Sequence, residues 1–327
     1  MKKSSVSYEQ IKGELLGSLN GSGGPSNPAR FFEKARKEYS EKDRAVLYNE
    51  ILENCKDLGI LSALVKEIDK LRDELNLNGL IDFIMTKTAE DFGILNPEAH
   101  SALGNFTNFR ILCVRVIANF RDKRAVPTLL YCLNTKGEDY KFRLAVAEAL
   151  GKIGDKNAVE TLINVVSDES EKSVYVRESA AKALGMIGDI RAMEAFLGIL
   201  EAKKSFLDKF TFLKERVIEA MGNMEISGNK RAFNALTNAL GDDSPQVRMN
   251  AIESLSNSDF EEADTLISKM VFDLDADVSK SAAIALYNMG GRERIIQLIE
   301  NTKLPKHVQD CAFELLEEED EEEDEYE

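Results

Sequence analysis

Val176-Arg177-Glu178-Ser179-Ala180-Ala181-Lys182-Ala183-Leu184-Gly185-Met186-Ile187-Gly188-Asp189 restates, with small changes, Phe142-Arg143-Leu144-Ala145-Val146-Ala147-Glu148-Ala149-Leu150-Gly151-Lys152-Ile153-Gly154-Asp155. Self-similarity at a period of about 20–50 residues marks stacked units, because one such unit cannot bury its own apolar face. The same phrase can be followed in both directions. Its arginine position is held in turn by Arg110, Arg143, Arg177, Lys214, Arg248 and Ser279, at intervals of 33, 34, 37, 34 and 31 residues. An apolar residue precedes each of these positions: Phe109, Phe142, Val176, Leu213, Val247 and Val278. A large apolar residue follows seven later: Ile117, Leu150, Leu184, Met221, Leu255 and Leu286.

At 100° per residue, Val176, Ala180, Ala183, Leu184 and Ile187 fall within roughly one third of a helix circumference. That stripe is expected to be buried, and its alanines let a neighbouring helix come close. Gly188 suits the left-handed C-terminal cap. Asp189 is placed to satisfy free amides at the start of the next segment. That segment, Ala192 to Leu200, is apolar on one side, as are its counterparts Ala158–Val166 and Ala125–Leu133, where Pro127 sits near a helix start. The spacing therefore predicts an all-α fold, an α-solenoid of helix pairs that cover one another's apolar stripes. Gly151 and Gly185 read as cap glycines together with Gly154 and Gly188.

The motif Val-Arg-x-x-Ala-x-x-Ala-Leu-Gly-x-Ile-Gly-Asp-x-x-Ala, complete at 176–192 and nearly so at 142–158, resembles the HEAT repeats. It is most similar to the short (EZ-type) subclass found in phycobiliprotein lyases. The resemblance spans about residues 105–316. It implies that the second helix of each repeat lines a concave, protein-binding surface. It also implies that each arginine sits in a polar ladder with acids of the preceding turn: Arg177 with Asp168 or a neighbour, and Arg248 with Asp242 or Asp243. Ser256-Asn257-Ser258-Asp259 and Ser279 depart from the motif.

Outward from the array, residues 29–104 are helical in pattern but not clearly repeated, and are expected to be divergent N-terminal repeats and a cap. Residues 1–28 divide into an amphipathic helix over 5–20, with Tyr8, Ile11, Leu15, Leu16 and Leu19 on one side, and a Gly/Ser/Pro linker from Asn20 to Pro28. Residues 317–327 are acidic at every position but Tyr326 and are expected to be a disordered tail. The chain carries 58 acidic and 42 basic residues among 327, a net charge of −16, and without the tail about −6. No clustered positive surface of the kind that grips phosphates is evident, so nucleic acid is not an expected partner. Met1-Lys2-Lys3 has no apolar run behind it and no stretch reaches membrane-spanning length, so no membrane insertion and a cytoplasmic location are expected. Cys55, Cys113, Cys132 and Cys311 are scattered in apolar helical contexts and read as reduced, packed thiols.

Nothing reads as catalytic, and no cofactor or metal is expected. Deoxyhypusine hydroxylase, built of similar repeats, holds two irons with His-Glu pairs; here His100 precedes Ser101 and His307 precedes Val308. Related alkylpurine DNA glycosylases use a basic groove with aromatics, and this chain has no Trp and an acidic body. Gly21-Ser22-Gly23-Gly24 lacks the Lys-Ser/Thr of a phosphate loop. The expectation is a non-catalytic scaffold or adaptor. The alternatives are a phycobilin-lyase-like or chaperone-like accessory factor that assists cofactor attachment or partner assembly, and an acidic chaperone acting through the tail. Opposite the buried stripe, the candidate partner-binding residues are Arg115, Glu148, Glu178, Lys182, Glu215, Glu219, Glu253 and Lys280, with Leu144 and Met249 at equivalent positions. Their acidic middle suits a partner segment bearing Lys or Arg.

Overall fold

In a computed structural model, residues 28–96, 98–201 and 211–324 are described. They form sixteen α-helices and four short 3₁₀ turns, with no strand among the described residues. The expected helix over 5–20 and the Gly/Ser/Pro linker lie outside them, except that Pro28 begins the first helix, where its missing amide does no harm. The chain divides into two compact units, residues 1–155 and 156–327. The boundary expected at 104/105 falls inside a helix, because the motif starts partway along it.

In the first unit the helices are α1 (Pro28–Glu38), α2 (Glu41–Asn54), α3 (Leu58–Leu71), α4 (Glu74–Thr86), α5 (His100–Phe120), α6 (Val126–Asn134) and α7 (Tyr140–Ile153). They alternate between two rows. α1, α3, α5 and α7 pack one against the next, and α2, α4 and α6 form the second row behind them. The divergent N-terminal helices thus take the same alternating places as the clear repeats. Asp57, Asp73 and Asp139 start α3, α4 and α7 by accepting bonds from the backbone amides of Gly59, Leu75 and Lys141. Gly154 ends α7 at φ 76°. In the equivalent place after α5 stands Arg121, held at φ 54° without glycine's freedom.

The second unit contains α8 (Val159–Ser167), α9 (Val174–Ile187), α10 (Met193–Glu201), α11 (Thr211–Gly222), α12 (Lys230–Ala239), α13 (Pro245–Ser256), α14 (Ala263–Met270), α15 (Ala276–Asn301) and α16 (Lys306–Asp324). α9, α11, α13 and α15 form the row of motif helices, backed by α8, α10, α12 and α14. Val176, Ala180, Ala183 and Leu184 are buried as expected, but so are Ala181 and Ser179, while Ile187 is half-buried. Burial exceeds a one-third stripe because α9 has α8 behind it and α11 beside it.

Gly188 caps α9 at φ 68°, and Asp189 accepts a bond from the Arg191 amide at 3.1 Å. That bond opens a 3₁₀ turn, Ile190–Ala192, ahead of α10 rather than α10 itself. Gly185 is not a cap. It lies inside α9, where a Cβ would sit 2.8 Å from the Ala220 Cα of α11. Gly222 plays the same part between α11 and α13, within 2.5–3.0 Å of Ser254. These contacts bring motif helices together more closely than larger side chains allow.

The C-terminal end adds a repeat not recognised in the sequence. α15 breaks at Gly291, whose φ of 62° and ψ of −160° suit only glycine. The part beyond the break and α16 form a further helix pair, in which Val308-Gln309-x-x-Ala312 stands where Val-Arg-x-x-Ala stands elsewhere. The backbone of α16 stays helical to Asp324, in place of the disordered tail expected from 317. Glutamate is a good helix former, and the packed turns ahead of it have already nucleated the helix. All four cysteines are free and buried.

Candidate protein-binding face

The motif arginines hold the stack together, and the direction of their ladder differs from expectation. Arg248 makes a two-pronged pair with Asp273 of the following turn, at 2.9 and 2.9 Å, and reaches only the backbone carbonyls of Asp242 and Asp243. Lys214 donates to Asp242 at 2.6 Å. Arg110 forks onto Glu138 at 2.6 and 2.8 Å while lying 3.9 Å over the Phe142 ring. The ladder therefore runs forward, from one repeat to the turn of the next. Where Ser279 replaces the arginine, His307 supplies the rung, its Nε2 lying 2.8 Å from the serine Oγ. Arg177 donates through Nε to the Val166 carbonyl at 2.9 Å. Burial lowers its pKa against the pull of nearby Glu169, Asp168 and Glu171. The arginines are mostly turned inward and offer little to a ligand.

The opposite edge of the motif row carries the predicted binding residues, and the structure sorts them into separate places. In the first unit Arg115 and Glu148 line a groove of about 370 Å³ between α5 and α7, with Asn119 and Lys152. Lys152 donates to the Asn119 amide oxygen, and Asn119 in turn donates to Asp69 at 2.9 Å. Buried Ala118, Ala145 and Ala149 form its floor. Cations outnumber carboxylates along this lining, so the acidic lean read from the sequence does not extend to it.

In the second unit Glu215, Glu219 and Glu253 line a groove of about 350 Å³ between α11 and α13, opposed by one cation, Arg216. Arg216 pairs with Glu219 one turn along. Glu215 is 8% exposed and accepts from the Ser244 hydroxyl at 3.1 Å. It is a wall of the fold as much as a surface residue. Glu178 approaches the same region from α9: burial raises its carboxyl pKa, Arg216 opposes this, and Glu215 adds to it. The Oε1 of Glu178 is buried without a hydrogen-bond partner. Lys182 and Lys280 are exposed on α9 and α15 and line neither groove.

Four amide residues of this groove escaped the sequence reading: Asn223, Gln246, Asn250 and Asn257. Asn250 is buried, donating to the Glu215 carbonyl at 3.0 Å and accepting from Gln246 at 2.8 Å. Asn223 and Asn257 are exposed and occupy the same motif position, nine after Lys214 and Arg248. That shared register was the available signal, and neutral amides do not announce it. Among the described residues no group of three or more His, Cys, Asp or Glu side chains could hold a metal, and no helix is long and apolar enough to cross a membrane.

No curated protein matches the chain. Among solved structures it is similar to the CpcE–CpcF complex of phycocyanin lyase from Nostoc sp. PCC7120, at 19% identity over 71% of this chain and 95% of that one, with a TM-score of 0.45. It is also similar to human deoxyhypusine hydroxylase, at 16% identity over 85% and 96% with a TM-score of 0.36. A third likeness is to Kap121p, at 12% identity over 96% and 41% with a TM-score of 0.46. A family model described as HEAT repeats matches residues 100–174, 135–211 and 207–287, together more than half of the sequence. Those residues are the ones whose helices pair and stack in rows, and the chain belongs to the HEAT-repeat family.

Proposed function

We propose that this protein is a cytoplasmic interaction scaffold without catalytic activity of its own, and that it holds a protein partner through a Lys- or Arg-bearing segment on the motif-helix row of its second unit. The observation that carries this reading is the groove between α11 and α13, where three glutamates face a single arginine that is itself paired with one of them. Charge complementarity of this sort steers encounter and selects partners more than it adds raw affinity. Stacked helix pairs in turn supply a long, rigid surface for such contacts.

The sequence alone suggests reversing Glu215, Glu219 and Glu253 together. Glu215 is too buried for a clean test, since a lysine there would break its bond to Ser244 and strain the packing. The double variant E219K/E253K leaves the buried wall intact. Affinity purification with the wild-type chain and the variant, followed by mass spectrometry, is expected to show one or more partners lost selectively, with unchanged helical circular dichroism. Equal recovery of every partner by both proteins would refute the role given to this groove. Appearance of a coloured covalent adduct on co-expression with a bilin and an acceptor subunit would instead make the protein a lyase-like factor.

A further inference from the structure

The partner's side-chain charge is half of what the α11–α13 groove can read; its walls are also set for a peptide main chain. Asn223 and Asn257 stand on its two sides at the same motif position. The Asn223 side chain donates to the Glu219 carbonyl at 3.1 Å and keeps its amide oxygen for another donor. Asn257, the C-cap of α13, lies four residues after Glu253, and both are exposed. Neither side chain is engaged by another residue of the groove. Gln246, beyond them along the same wall, uses its amide nitrogen on Asn250 and leaves its oxygen open. Between the walls, a Cβ on Gly222 would lie 2.5 Å from the Ser254 hydroxyl, so α11 and α13 approach closely where they frame the groove.

Resting on the scaffold reading above, we infer that this groove holds a short peptide segment in extended form, gripped through its main-chain amides and carbonyls by Asn223, Asn257 and Gln246, with a basic side chain turned to Glu253. Each side-chain amide carries both donors and an acceptor, which matches the alternating groups of an extended chain. A bound helix is the wrong occupant, because its main chain is already satisfied internally and leaves the side-chain amides nothing to pair with. An anionic ligand is disfavoured by the glutamates.

The experiment uses the full chain and fluorescein-labelled nonapeptides made of three Gly-Ser-Lys repeats, read by fluorescence polarisation. One version is unmodified, one has its central three residues N-methylated to remove main-chain donors, and one replaces each lysine with glutamine. The unmodified peptide is expected to bind at least about tenfold tighter than either of the others. N223A/N257A should weaken the unmodified peptide by a similar factor and leave the N-methylated one unaffected, whereas E253Q should matter only for the lysine-bearing peptides. Equal binding of the N-methylated and unmodified peptides overturns the main-chain grip while leaving the basic-partner reading standing. No binding of the unmodified peptide overturns the inference even if E219K/E253K still loses a native partner. Circular dichroism of each variant guards against loss of fold.

Discussion

Gly185 and Gly188 stand three residues apart in one motif and answer different demands. Gly188 takes a left-handed backbone to end α9, whereas Gly185 clears the way for α11. Adding one methyl group at position 185 puts it against the Ala220 backbone, so G185A should cost about 1–3 kcal/mol in urea unfolding. Gly104, inside α5 with nothing within 4 Å of its missing Cβ, is the control. G104A should stabilise by about 0.5–1 kcal/mol through the ordinary helical preference for alanine. A similar effect at both positions would refute the close-approach account. Two carboxyls make an opposed pair of pH predictions. The Arg191 side chain and amide hold the Asp189 carboxyl down to about 2, below its ordinary 3.8. Its contribution to stability is present above pH 3.8 and is lost as the pH falls toward 2. Burial raises the Glu178 carboxyl above 4.5, so the fold loses stability as the pH rises through that value and the group ionises. The advantage of E178Q over wild type should therefore grow from pH 4 to pH 7, while the deficit of D189N should vanish toward pH 2. Parallel stability–pH curves for all three proteins would contradict both assignments.

At the scale of elements, the arginine ladder was legible as a register but not as a set of bonds. Sequence spacing located Arg248 and the HEAT resemblance pointed it backward to Asp242 or Asp243, yet its fork closes on Asp273 ahead, with the backbone of Asp242 and Asp243 only a secondary contact. Which acid meets which arginine depends on the rise from one helix pair to the next, and a one-dimensional pattern does not carry that distance. R248A should cost about 3 kcal/mol, because it leaves a mostly buried Asp273 carboxylate unpaired. R248K should recover only part of this, since an ammonium cannot form the planar fork and also reach the Asp242 carbonyl. Full recovery by lysine in chemical denaturation would show that charge alone matters. The last helix pair was missed for a related reason. Gln309 stands where an arginine is sought, and the Gly290-Gly291 break divides what the spacing would count as one helix.

At the scale of the whole molecule, stacking makes the damage from a core lesion local, because each pair leans chiefly on its neighbours. L255A, removing a fully buried side chain of α13, should cost about 2–5 kcal/mol. Hydrogen exchange should then quicken first in α11, α13 and α15, while α3 and α5 of the first unit keep their protection. Uniform loss of protection along the chain would mean one cooperative core instead. The repeating Val-Arg-x-x-Ala phrase by itself determined that this chain is helical, paired and stacked, because a 3.6-residue periodicity with a recurring cap leaves one way to hide the apolar stripes. Only the tertiary structure decided that Glu215 is a buried wall, that the grooves of the two units differ in charge, and that Asn223 and Asn257 line the same groove. Those outcomes depend on how closely one helix approaches the next, which Gly222 and Ser254 set through contacts between residues distant in sequence.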